Sequence, residues 1–325
     1  MKLLRRRFLH LAAGAAVLPV AAWTARAQTY PSRPVRLLVG FGAGGAPDIL
    51  ARLMAQWLSD RLGQPFVVEN RVGGSSGIAT ETVVQAPADG QTLLLASLAN
   101  AVNATLYEKL NYNFIRDIAP VAGISRDPNV MVVVPSFPAK TVPEFIAYAK
   151  ANPGKINMAS PGVGTSPHMA GELFKYMTGV DMAHVAYRGS PPALADLLAG
   201  QVQVYFAPIA AAIDYVKGGR LRALGVTTAV RADALPDVPT MAEFVPGYES
   251  SAFYGIGAPR NTPADVVDKL NKEINAGLAD ATLKARFAAL GSVAFPGPPA
   301  DFGKLVADET EKWSKVIRAA NIKPE

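Results

Sequence analysis

An apolar strand running straight into a glycine-packed turn sets the first limit on what this chain can become. Residues 35–48 read VRLLVGFGAGGAPD: an apolar segment, a turn with glycines at 40, 42, 44 and 45, then Pro47-Asp48 opening an amphipathic stretch. Strand, glycine turn and helix in succession are the opening of an α/β unit, because glycine allows the tight backbone that the reversal needs. Gly40, Gly42 and Gly45 fall on the G-x-G-x-x-G spacing of a dinucleotide fold, where backbone amides approach a pyrophosphate. The same turn also suits a bare anion cradle, in which unpaired amides at a helix N-terminus hold a small carboxylate. No Gly-Lys-Ser/Thr follows, so a nucleotide-triphosphate P-loop is excluded.

Short apolar runs then alternate with amphipathic ones. Strands are expected at Val35–Val39, Phe66–Val68, Thr92–Ala96 and Val130–Val134, with helices at Asp48–Arg61, Gly77–Gln85 and Ala101–Glu108. Thr141 and Glu144 form a capping-box signal for the next helix. The second half repeats the pattern, with strands near Ile156–Ala159, Ala183–Val185, Val202–Phe206, Leu221–Val226 and Phe253–Gly257. Helices are expected at Pro167–Met177, Pro192–Leu198 and Ile209–Lys217, and over most of the chain after Pro263. This alternation predicts an α/β protein with largely parallel sheets. Two extended stretches, Asp127–Pro135 and Tyr248–Gly257, flank a middle segment of domain size. If both are crossings, the first domain is discontinuous and the pair forms a hinge that can close around a ligand.

Charge and targeting narrow the function. Arg5-Arg6-Arg7-Phe8-Leu9, the apolar run from Leu11 to Trp23 and Ala25-Arg26-Ala27 make a secretory signal with a cut after Ala27. Arg5-Arg6-x-Phe8-Leu9 points to the twin-arginine route, with general secretion as the alternative. The formal net charge of +6 is mostly signal: without Lys2, Arg5, Arg6, Arg7 and Arg26, 27 basic residues face 26 acidic ones. Nothing in that balance favours nucleic acid or a membrane surface, and the apolar run is too short for a span. The absence of cysteine excludes disulfides, thiolate metal sites and a lipid-anchored lipoprotein. A soluble, exported monomer with no cofactor is expected.

Catalytic candidates are scarce. His168 and His184 are the two histidines beyond the signal. His168, at a helix start after a glycine loop, could donate to an anionic ligand, whereas His184 lies in an apolar strand and reads as structural. No metal-ligand spacing is present, and Ser75-Ser76 reads as a loop leading into a helix. Four loops follow strands, where open parallel sheets bind ligands: Phe41–Asp48, Ser97–Asn100, Ser160–His168 and Tyr187–Ser190. Two are glycine-rich, with caps expected at Asp48 and at Thr165 or Ser166. A carboxylate between two such helix starts would gain about 0.3–1 kcal/mol from each dipole.

Ordered blocks spread over the chain add a resemblance. They are Pro31-Ser-Arg-Pro-Val-Arg36, Gly40-Phe-Gly-Ala-Gly-Gly-Ala-Pro-Asp48-Ile-Leu-Ala-Arg52, Val68-Glu-Asn-Arg71 and Pro87-Ala-Asp-Gly-Gln-Thr-Leu93. Further on come Gly164-Thr-Ser-Pro-His168-Met-Ala-Gly-Glu-Leu-Phe174, Val185-Ala-Tyr-Arg-Gly189 and Leu235-Pro-Asp-Val-Pro-Thr240. In these the chain resembles the extracytoplasmic solute-binding receptors of tripartite tricarboxylate transporters, often called Bug proteins. The resemblance implies a periplasmic binding protein type II-like α/β fold, with two domains joined by a double-crossing hinge. It divides the chain into a signal (1–27), a discontinuous first domain (28–128 plus 252–325) and a second domain (129–251). It implies no catalysis, a small carboxylate as ligand and a membrane permease as partner. The ligand would lie against Phe41, Gly42, Ala43, Gly44 and Asp48 on one side, and Gly164, Thr165, Ser166 and His168 on the other. Ser97 and Asn100 would form side walls. The chain departs from the family at Gly42, where proline is usual, and at Ala207, where aspartate is usual. The second change implies a less polar distal pocket, favouring aliphatic or aromatic carboxylates over amino acids. An exported dinucleotide-dependent oxidoreductase, with Glu69 ending its second strand, remains the rival, and a receptor feeding a membrane sensor kinase is a third possibility.

Overall fold

The computed structural model describes residues 30–107 and 109–324. The expected export signal, residues 1–27, lies outside the described residues, as does Glu108 at the expected end of one helix. The chain opens with β1 (Val35–Val39), α1 (Ala46–Leu62), β2 (Phe66–Asn70), α2 (Gly77–Val84), β3 (Thr92–Ser97), α3 (Leu98–Leu106) and α4 (Phe114–Asp117). Next come β4 (Ile118–Val133), α5 (Val142–Ala151), β5 (Asn157–Ser160), α6 (Ser166–Thr178), β6 (Ala183–Ala186) and α7 (Ser190–Leu198). They are followed by β7 (Val204–Pro208), α8 (Ile209–Lys217) and β8 (Arg222–Val226). A 3-10 turn at Met241–Glu243 precedes β9 (Ser251–Pro259), α9 (Ala264–Ala279), α10 (Ala281–Ala289), β10 (Val293–Ala294) and α11 (Pro299–Ala319).

Burial rather than capping holds α1. Leu50, Met54 and Leu58 recur every four residues and are fully buried, while the N-cap Gly45 offers no side-chain bond. Three such side chains at about 1.5–3 kcal/mol each outweigh the ~1 kcal/mol of a missing cap. The helix stops at Gly63, whose φ of 71° lets its amide reach the Ser59 carbonyl.

The sheet is mixed, not largely parallel. β1 pairs β2 and β3 in parallel, and β5 pairs β6 and β7 in parallel, as the alternating pattern predicts. Between these sets stand two long antiparallel strands, giving the order β2-β1-β3-β9-β4-β7-β5-β6. β4 pairs β9 from Ile118 to Pro128, then β7 and β8 from Asn129 onward. One strand thus belongs to both halves of the molecule. The return passage lies beside it: Thr227 N–H donates to the Asn129 carbonyl, and Ser250 N–H to the Thr227 carbonyl, each at 2.9 Å.

Three cores follow. One lies under α1, α9 and α10 with Leu37, Met54 and Ile274, and one under α7 and α8 with Val132, Tyr205 and Leu197. The largest joins the halves, with Leu38, Leu94 and Val102 meeting Met131, Phe174 and Phe206 beside Trp313 of α11.

Candidate functional site

Two strand-to-helix loops share one seven-residue frame. Gly42-Ala-Gly-Gly-Ala-Pro-Asp48 enters α1, and Gly162-Val-Gly-Thr-Ser-Pro-His168 enters α6. The third residue of each is a left-handed glycine, Gly44 at φ 80° and Gly164 at φ 75°. The fourth is the N-cap in extended conformation, Gly45 or Thr165, and proline is the second helical residue. The seventh side chain reaches back to the left-handed glycine. Asp48 Oδ2 accepts from Gly44 N–H at 2.9 Å, and His168 Nδ1 accepts from Gly164 N–H at 3.1 Å.

That geometry corrects the roles of both residues. Asp48 is not the N-cap of α1, and its carboxylate is committed within the protein. Besides Gly44 it accepts from Arg52 and from Asn70 Nδ2 (2.9 Å). Burial alone would raise its pKa; the bonds from Arg52, Gly44 and Asn70 outweigh burial and hold it below the ordinary carboxylate value. His168 does not present a donor at Nδ1, because that atom is the acceptor for Gly164. Its proton therefore sits on Nε2, 3.8 Å from Glu172 Oε1. Its ring lies 4.0 Å from that of His184, and His184 Nε2 meets Ser160 Oγ at 2.6 Å. Burial first, then His184 and Lys175, push His168 well below the usual imidazole value. Burial and Lys175 bring His184 down to about 4. Both rings are neutral near pH 7.

The remaining candidates divide by exposure. Gly42, Ala43 and Gly44 are exposed at the first turn, and Phe41 packs partly against the core beneath α1. Gly164, Thr165 and Ser166 are buried. Thr165 Oγ1 donates to the Gly162 carbonyl at 2.6 Å and does not cap α6, while Ser166 Oγ accepts from Asn129 Nδ2. Ser97 and Asn100 are also buried and occupied locally. Asn100 Oδ1 accepts from Ser97 N–H at 2.8 Å, and its Nδ2 donates to Thr80 Oγ1 at 2.7 Å. They fix the start of α3.

A turn whose composition reads as a plain loop joins the two frames. Ser75 and Ser76 are left-handed, at φ 47° and 73°, between Gly74 and Gly77. A Cβ on Gly40 would fall 2.4 Å or closer to Ser76 atoms, so only glycine lets the chain pass this turn between β1 and the first frame. Ser75 Oγ donates to the Val163 carbonyl of the second frame at 2.5 Å. Asn103 Nδ2 secures the turn through the Gly74 and Ser75 carbonyls. A Gly-Gly-Ser-Ser-Gly composition signals a turn, but nothing in it signals left-handed serines or their contacts.

Asp127 of β4 is also buried, as are Glu172 and Glu309. Ser292 Oγ donates to its Oδ2 at 3.0 Å, no ion pair forms with it among the described residues, and burial pushes its pKa up to about 7. Among the described residues, no group of three or more His, Cys, Asp or Glu side chains could hold a metal ion. No described helix is long and apolar enough to cross a membrane.

Comparison with known proteins agrees with this architecture. Residues 50–322 match the family described as "Tripartite tricarboxylate transporter family receptor". Protein BugT of Bordetella pertussis is 35% identical over 300 residues, covering 91% of this chain and 92% of that protein. Rpa4515 of R. palustris, solved with adipate, has a TM-score of 0.86 and 38% identity over 91% of this chain and 100% of its own. MatC (Rpa3494) from Rhodopseudomonas palustris, with bound malate, has a TM-score of 0.83 and 31% identity, covering 89% and 100%. The chain belongs to the tripartite tricarboxylate transporter receptor family, with the two-domain α/β fold of a type II-like periplasmic binding protein.

Proposed function

We propose that the protein is a periplasmic receptor that captures a small carboxylate between its two glycine frames and delivers it to a tripartite tricarboxylate-type permease. The repeated frame carries this reading. At each helix start the first-turn amides, those of Ala46 and Asp48 or of Ser166 and His168, have no intrahelical partner. Proline at the second position removes the intervening N–H, and both dipoles favour negative charge. Relatives solved with adipate and malate support the ligand class. Closure would turn residues 129–251 against residues 28–128 plus 252–325, about the paired passages at Asn129 and Ser250. No catalytic step is assigned. Glu69, which would read a ribose in the dinucleotide alternative, is instead held by Arg36 through two bonds of 2.7 and 2.8 Å. An alanine at 207, where the family usually has aspartate, leaves no acid there to pair with a ligand amine, which favours aliphatic or aromatic acids over amino acids.

A thermal-shift screen of mono- and dicarboxylates tests the proposal. A ligand at 100 times its Kd adds about 2.7 kcal/mol of stability. Shifts with adipate or benzoate and none with aspartate, glutamate or NADH are expected. Tight aspartate binding would remove the apolar-pocket reading, and a dinucleotide shift would remove the receptor reading.

A further inference from the structure

Asn129 stands where β4 leaves one half of the molecule for the other. Pro128 still pairs with Ser251 of β9, whereas Asn129 pairs with Pro208 of β7. Thr227, directly after β8, fixes its backbone. Its N–H donates to Thr227 Oγ1 at 3.0 Å, and its carbonyl accepts from Thr227 N–H at 2.9 Å. From this anchored position the side-chain Nδ2 donates to Ser166 Oγ at 2.6 Å, with both residues buried.

A serine hydroxyl has one proton to give and two lone pairs to accept with. Asn129 occupies a lone pair of Ser166, so the Ser166 proton must point elsewhere. The neighbouring hydroxyl has no such freedom, because Thr165 gives its proton to the Gly162 carbonyl. Of the two hydroxyls that begin α6, Ser166 alone keeps a proton for a ligand. The opposite amide orientation of Asn129 would let Ser166 donate to it, but would leave both amide N–H donors buried without that partner. The present orientation instead leaves one buried acceptor, Oδ1, unpaired, and orphaned N–H groups are the rarer case.

We propose that Asn129 is a positioning residue that turns the Ser166 hydroxyl outward as a hydrogen-bond donor to the ligand carboxylate. The inference rests on the carboxylate reading above. It also makes the crossing strand part of the binding apparatus, since the group that aims the donor is anchored to Thr227, which itself accepts from Ser250 of the returning passage.

Calorimetry with adipate, succinate and benzoate as probes, on the mature protein and four variants, tests it. Ser166→Ala should weaken binding about 10- to 100-fold, the range for a charge-assisted hydrogen bond. Asn129→Ala should weaken binding by ~10-fold in the natural background and by less than ~2-fold when Ser166 is already alanine, because coupled residues are not additive. Asn129→Asp, which nearly preserves shape, should cost at least as much as Ser166→Ala, since its carboxylate takes the Ser166 proton. If Asn129→Ala does not fold, the Asn129→Asp and Ser166→Ala pair decides. Equal losses from Asn129→Ala in both backgrounds, or full affinity in Asn129→Asp, would overturn the proposal and leave carboxylate binding intact. Failure of the natural protein to bind any of the three acids would overturn both.

Discussion

From their third residue onward the two glycine frames have the same backbone and different surroundings. The first, at Gly42–Asp48, is exposed along its turn and secured by a charged side chain whose partner Arg52 lies largely in solvent. The second, at Gly162–His168, is buried from Val163 onward and secured by a neutral imidazole stacked near a second one. Leu106 and Val102 of α3 press on it, and Ser75 reaches it from the first half. One frame is built to remain open to solvent while the other is built into the core. The backbone path specifies the amide cradle, while the seventh residue must suit the donors around it, since Asp48 and His168 are equally buried, each 3% exposed. A carboxylate serves where Gly44, Arg52 and Asn70 all donate to it, whereas the acceptor of the second frame takes one backbone bond, from Gly164, and carries no charge.

The largest expected effect comes from adding one methyl group to each left-handed glycine. Gly164→Ala would strain a φ of 75° and bring Cβ within 3.2 Å of Leu106 and 3.4 Å of Val102. Together the left-handed cost and overpacking amount to about 2–5 kcal/mol. Gly44→Ala meets no atom within 4 Å and should lose only the left-handed cost, about 1–2 kcal/mol. Urea midpoints of the two variants check this, and equal losses would break the contrast between a buried frame and an open one.

Acid should separate the frames next. Imidazoles depressed in the folded state take up protons more readily on unfolding, so their stabilisation is complete above about pH 6.5. It is lost as pH falls toward the folded value, about 4 for His184 and lower for His168. The loss attributable to His184 is on the order of 2–3 kcal/mol over that window. Asp48, whose pKa is lowered, keeps its contribution until the pH falls below the ordinary carboxylate value. Stability measured from pH 7.5 to 3 should therefore flatten above pH 4 in His184→Gln and only below that in Asp48→Asn. A flattening in the reverse order would show that the charge assignments of the two frames are exchanged.

Much of the fold was legible because the apolar period survives in β1, α1 and β3, where Leu37, Leu50 and Leu93 are fully buried. β4 was not legible beyond its last few residues. Pro120, Gly123, Pro128 and the Arg126-Asp127 pair interrupt its pattern, and its register shifts between Pro120 and Ala122 and between Gly123 and Ser125. A strand shared by two halves also changes the core that its alternate residues face, so no single period describes it. Both frames were visible as glycine-rich loops, yet the work of Asp48 and His168 was not. Their bonds depend on the left-handed turn at Gly44 and Gly164, which composition permits without requiring. Asn129 was hidden for a similar reason, since its partners Ser166 and Thr227 lie 37 and 98 residues away in the chain.

The smallest effect probes the first residue of each frame, where the two backbones diverge. Gly162 has a φ of 135°, so alanine there is strained whatever space surrounds it. Gly42 lies outside the left-handed region, and a Cβ on it meets nothing within 4 Å. Alanine at 42 removes freedom from the unfolded chain without opposing the native turn, which should stabilise the protein by about 0.4–1 kcal/mol. Gly162→Ala should shift the urea midpoint the other way. If Gly42→Ala also destabilises, the first frame needs a glycine at its first position after all, and its openness is a constraint of the backbone. If it stabilises while adipate affinity is unchanged, Gly42 is a tolerated softness in the loop, and selectivity among acids is set by other residues than the first of this frame.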